Sequence, residues 1–182
     1  PEPMTTTGEK PARTAPVRPG IYGRGTETVD LILNAALDVL AARGELDPDS
    51  PEAQQFVLDY MKDVTMHEVG HTLGLRHNFR ASRAYTEAQL ADVDFTRAHG
   101  TTGSVMEYNA VNLSRPGETG GVPFQLTIGP YDYWAIEYAY RELPAEREAA
   151  ELAAIAGRAR TNPALAYATD EDLSAAAGGG ID

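Results

Sequence analysis

The 182 residues include no cysteine. That excludes a disulfide framework and any thiolate metal site, so metal chemistry in this chain has to rest on histidine and carboxylate. Basic residues are also scarce. There are 15 Lys and Arg against 27 Asp and Glu, a net charge of −12. Such a balance argues against a nucleic-acid partner, which needs a basic face, and for a well-solvated acidic surface. No apolar run is long enough to cross a membrane, and no signal peptide opens the chain. The sequence starts at Pro1 and closes just after Gly178-Gly179-Gly180. Both ends read as cut from something longer, so the missing signal says little about location. The length suits one domain with a real core.

Histidine is rare as well, and its placement is informative. Three of the four fall within His67-Glu68-Val69-Gly70-His71-Thr72-Leu73-Gly74-Leu75-Arg76-His77, an H-E-x-x-H-x-x-G-x-x-H pattern. Residues four apart on a helix sit about 40° apart around its axis, so His67 and His71 share a face. Their imidazoles can hold one Zn²⁺ at roughly 2.0–2.1 Å. Glu68 can reach a water on the same metal. Gly74 can end the helix in a left-handed conformation, and the returning chain brings in His77 as a third ligand. Three protein ligands and one open position make a catalytic zinc site rather than a structural one. A bare H-E-x-x-H arises by chance in many proteins; the extension to Gly74 and His77 favours the metal reading. His99 stands apart in a polar, Gly- and Thr-rich stretch and reads as a solvated loop residue, with a place in a substrate cleft as the alternative. Arg76 and Arg80, flanking the third ligand, read either as surface residues or as groups that steady carboxylates or substrate carbonyls.

The rest of the chain supplies a scaffold. Residues 1–25, rich in Pro, Gly, Thr and Arg, predict an extended arm or linker. Val29, Ile32, Leu33, Ala36, Leu37 and Leu40 mark a helix over 27–43. Ser50-Pro51-Glu52 announces a second helix, running from about 51 to 74. Its apolar positions Ala53, Phe56, Val57, Tyr60, Met61 and Val64 anchor it before it presents ligands, as a rigid metal site requires. Residues 78–103 read mostly as loop, with a short helix near 86–92. Val122 to Ile128 has weak strand character. Pro130 opens a further helix whose Tyr131, Tyr133, Trp134 and Tyr138 are expected to pack. An Ala- and Glu-rich helix follows over 144–159. From 161 onward the chain reads as linker, and Thr169-Asp170-Glu171-Asp172 as a helix cap or solvated turn. The domain layout is thus an arm at 1–25, a catalytic domain at 26–160 and a tail at 161–182.

The long histidine motif, followed by Gly103-Ser104-Val105-Met106-Glu107-Tyr108, resembles the metzincin clan of zinc metallopeptidases. Within that clan the run from Met66 to Phe79, Ser104 to Tyr108, and Ile128-Gly129-Pro130-Tyr131-Asp132-Tyr133-Trp134-Ala135-Ile136-Glu137-Tyr138 are similar to a bacterial family of large, exported, metzincin-type proteins. The likeness covers about residues 50–142. It implies an α+β zincin-like fold, predominantly helical in this chain, with a long active-site helix, a methionine turn and C-terminal helices. Met106, 29 residues after His77, would be the turn methionine beneath the metal. Tyr108 would be either a group at the metal or a packed aromatic. A periplasmic or extracellular location is implied too. Two departures stand out. Metzincins usually place a twisted sheet before the active-site helix, whereas the 66 residues before His67 read as an arm and helices. Asn78 is also not what the best-known families carry after the third ligand. The expected activity is zinc-dependent cleavage of a peptide or protein substrate, with Glu68 as general base. The alternative is a catalytically inactive zinc-binding fragment, or a module of a larger exported protein that binds peptides or partners without cutting them.

Overall fold

The computed structural model describes residues 25–173. Residues 1–24 of the arm expected at 1–25, and the end of the tail at 174–182, lie outside the described residues. Among the described residues six helices follow in order: α1 (Gly25–Ala42), α2 (Pro51–Thr72), α3 (Glu87–Leu90), α4 (Val93–His99), α5 (Pro130–Tyr140) and α6 (Glu148–Gly157). Short 3₁₀ turns lie at Ala81–Arg83, Arg158–Arg160, Pro163–Leu165 and Asp170–Leu173. None of the helices is long and apolar enough to cross a membrane.

The start and end of α2 follow from local chemistry. Ser50 caps it by accepting the Ala53 N–H at 3.1 Å, and Pro51 occupies its first turn. At the other end Leu75 N–H reaches Gly70 O at 3.0 Å and Gly74 N–H reaches His71 O at 2.9 Å. This pair of bonds is a Schellman ending. It needs a left-handed residue, and Gly74 supplies it with φ +81°. The turn is what redirects the chain so that His77 comes back toward the helix.

The buried face of α2 packs on α1 and on the long loop before α5. Ala36, Phe56, Tyr60 and Phe124 form the core, flanked by Leu33, Leu37, Leu40, Val64 and Leu126. Phe124 meets Phe56 edge-on with ring centroids 4.7 Å apart and Tyr60 at 5.5 Å. Burial of each such aromatic contributes roughly 1.5–3 kcal/mol, which ties the ligand helix to the loop before α5.

Among the described residues there is no strand, so the α+β expectation is met only on its helical side. The expected strand at 122–128 is instead an irregular run bonded largely by side chains. Pro123 has no N–H to give to a ladder, and the Gln125 N–H goes to the Asp63 carboxylate at 3.1 Å. The buried Gln125 amide accepts from Thr101 N and Thr102 N and donates to Thr127 O, at 2.6, 3.0 and 2.7 Å. The aromatic expectation for α5 holds in part. Tyr131 is buried, while Tyr133 and Tyr138 face solvent. Trp134 donates its indole N–H to Ile155 O at 2.7 Å, fixing α6 on α5.

Candidate metal centre

His67 and His71 lie one turn apart on α2, and His77 returns over them after the Gly74 turn. The three rings sit with centroids 4.7, 5.4 and 4.9 Å apart. Each Nδ1 is engaged: His67 with Val105 O at 2.8 Å, His71 with Leu75 O at 3.0 Å, His77 with the Asp170 carboxylate at 3.0 and 3.1 Å. A carbonyl or carboxylate oxygen can only accept, so Nδ1 carries the proton and Nε2 presents its lone pair. One ring nitrogen from each histidine lies within 4.8 Å of the other two. Nε2 of His67 and of His77 is buried with no hydrogen-bond partner. A buried acceptor left so is costly, and a single cation between the rings would satisfy both. The donor set therefore fits a metal ion. Burial, and then the neighbouring imidazoles, hold the His67 pKa below its ordinary value, which favours the neutral ligating form.

Beneath the site runs the 103–106 turn. Met106 is wholly buried, and its sulfur lies against the backbone of Gly70, where a Cβ would come within 2.2 Å of it. The floor of the centre therefore requires glycine inside the ligand motif. The turn is clamped by Asp132 from the first turn of α5. Its carboxylate accepts from Ser104 Oγ at 2.5 Å, Val105 N at 2.8 Å and Gly129 N at 2.9 Å. Burial raises the Asp132 pKa, and these three donors oppose the rise. Val105, held by Asp132, in turn gives its carbonyl to His67. An unbroken chain of bonds thus runs from α5 to the first ligand.

Tyr108 stacks on His67 at 5.1 Å with the planes 17° apart, and its centroid is 4.5 Å from that of His77. Its outer side is exposed. Desolvation against the imidazoles, then the charges of Glu68 and Asp170, push its phenol above the ordinary value. Glu107 fixes the backbone there, accepting from Ser82 N and Tyr108 N at 3.0 Å each. Glu68 is exposed, on the open side of α2. The arrangement brings together His67, His71, His77 and Tyr108 over Met106, and the charge of Glu68 bears on His67 and Tyr108. It leaves out His99, which ends α4 with its ring 4.5 Å from that of Phe95.

Three contributors carried no assigned role from sequence. Asp132 lies inside a recognised run, yet nothing local marks it as a clamp. Asn78 is fully buried; its N–H donates to Met106 O at 2.9 Å and its side chain donates to Ala166 O at 3.0 Å. Asp170 comes from the stretch expected to be linker, 93 residues from His77. The described part of that stretch is not a loose tail: Leu165, Ala168 and Thr169 are buried.

Searches of curated proteins and of solved structures gave no match. A family model described as Met-zincin matches residues 49–181, from the cap of the ligand helix through the segment that carries Asp170. With that span and this histidine group, the chain belongs to the Met-zincin family.

Proposed function

We propose that the protein is a zinc-dependent endopeptidase. One observation carries the reading: three imidazoles with engaged Nδ1 atoms offer ring nitrogens to a common point, and two of those nitrogens are buried and unpartnered. Three histidines leave a fourth position open, which suits catalysis. His67, His71 and His77 would hold the ion. An ion held there would supply Lewis-acid chemistry, activating water near neutral pH and polarising a substrate carbonyl. Glu68, next to the first ligand and open to solvent, takes a proton from the attacking water and passes it to the leaving amine. The Tyr108 hydroxyl, kept protonated by its surroundings, donates to the oxyanion that develops on the substrate. Met106 and Asp132 touch no substrate; they hold the ligand helix and the turn in register.

Elemental analysis of the purified protein tests the site, and peptide cleavage tests the activity. One zinc per chain is expected, lost in His71→Ala. Glu68→Ala should keep its zinc and lose hydrolysis; retained cleavage in that variant would sink the assignment. Zinc without any cleavage by the unaltered protein would instead leave a zinc-binding module that holds peptides.

A further inference from the structure

The third ligand differs from the other two in what stands behind it. His67 and His71 lean on neutral backbone carbonyls, while His77 leans on a carboxylate. That carboxylate belongs to a segment, 166–173, which stacks its Tyr167 on Tyr131 of α5 and whose hydrogen bonds to the rest of the fold converge on the ligand's own neighbours. Arg76 donates to both Glu171 oxygens at 2.7 Å. His77 meets Asp170 at 3.0 Å. Asn78 donates to Ala166 O at 3.0 Å, and its oxygen accepts the Ala168 N–H at 3.3 Å. Phe79 N–H reaches Ala168 O at 2.8 Å. Four consecutive residues thus each grip the strap. Its tip is shaped by Thr169 N–H donating to Asp172 at 2.8 Å and Thr169 Oγ1 to Asp170 at 3.3 Å. On its other side the 76–79 segment is fixed by Asn78 N–H on Met106 O. His77 is therefore held between the methionine turn and the strap, with Asp170 aimed at its Nδ1.

We propose that Asp170 is a positioning residue of the metal centre, and that the 166–173 strap is part of the site. The inference rests on the zinc reading given above. An acceptor-only carboxylate on Nδ1 fixes the ring's tautomer and orientation and makes Nε2 a stronger donor to a cation. A carbonyl does the first two, but lacks the full negative charge that does the third. Strap and metal would then support one another, because both hold His77.

The test compares Zn²⁺ affinity, by competition with a chromophoric chelator, in the unaltered protein, Asp170→Asn and Asp170→Ala. The visible spectrum of the Co²⁺-loaded proteins reports ligand geometry directly, and thermal melting of the metal-free proteins reports folding. The expected result is a zinc Kd raised about 10–100-fold in Asp170→Ala and by less in Asp170→Asn, which keeps an acceptor. The Co²⁺ bands should change while metal-free melting stays as it was. Should Asp170→Ala fail to fold, the near-isosteric Asp170→Asn decides alone. Unchanged affinity and bands in the variants, with tight binding by the unaltered protein, would overturn this inference and leave the zinc reading standing. So would an affinity loss that merely follows a loss of metal-free folding. An unaltered protein that binds neither ion would overturn the zinc reading, and this inference with it.

Discussion

The sulfur of Met106 occupies the space in which a side chain on Gly70 would begin, 2.2 Å from the ideal Cβ position. Met106 has no exposed surface into which to retreat. Gly70→Ala gains up to about 1 kcal/mol in helix propensity but overpacks the floor of the site, which costs about 1–3 kcal/mol. The expected net result is a loss of stability, read as a lower urea midpoint. Truncation of Met106 to Ala is costly alone, yet it should relieve the clash. The double variant is therefore expected to be less destabilised than the sum of the two singles; strict additivity would show that the two do not press on each other.

Asp132 is the single acceptor for three donors of the turn and the α5 cap. Asp132→Ala strands those groups in the interior. A loss of about 3–4 kcal/mol is expected. The loss should appear in denaturant unfolding of the metal-free protein, since the clamp acts on the turn whether or not an ion is present.

Asp63, one turn before His67, holds the Gln125 N–H, and burial pushes its carboxyl up from 3.8 to about 6. Its folded pKa lies above its unfolded one, so the native state binds the proton more tightly. Its stabilising contribution is present below about pH 4 and is lost as pH rises through about 6. The full span is at most ~3 kcal/mol. Asp63→Asn keeps an oxygen for Gln125 and cannot titrate. Relative to the unaltered protein, the variant should gain stability on going from about pH 4 to neutrality. Urea unfolding at the two pH values gives the difference, and titrations elsewhere cancel. Parallel pH profiles would show that Asp63 titrates alike in the folded and unfolded chain.

Tyr108→Phe keeps the ring on His67 and His77 and removes only the hydroxyl. On the proposed mechanism, zinc content and melting temperature stay the same while kcat falls about 10²-fold, the usual loss for one oxyanion donor. Equal cleavage rates would leave Tyr108 as a packing residue.

Much of this centre is legible in the chain itself. The His67 and His71 pairing follows from helical spacing, and the Ser50 cap and Gly74 ending follow from local backbone needs. The apolar spacing from Ala53 to Val64 locates the helix because burial favours one face. Tertiary structure decided the partners. Nothing near Gly70 in sequence shows that its face meets Met106. Nothing near Asp132 marks it as the anchor of residues 104 and 105. The acidic run at 170–172 has the composition of a solvated turn, and only the fold brings Asp170 to His77 across 93 residues. Local chemistry can specify which side chains are ready to bind a metal. The groups that hold those side chains still lie far away along the chain, and the sequence carries no local periodicity that would point to them.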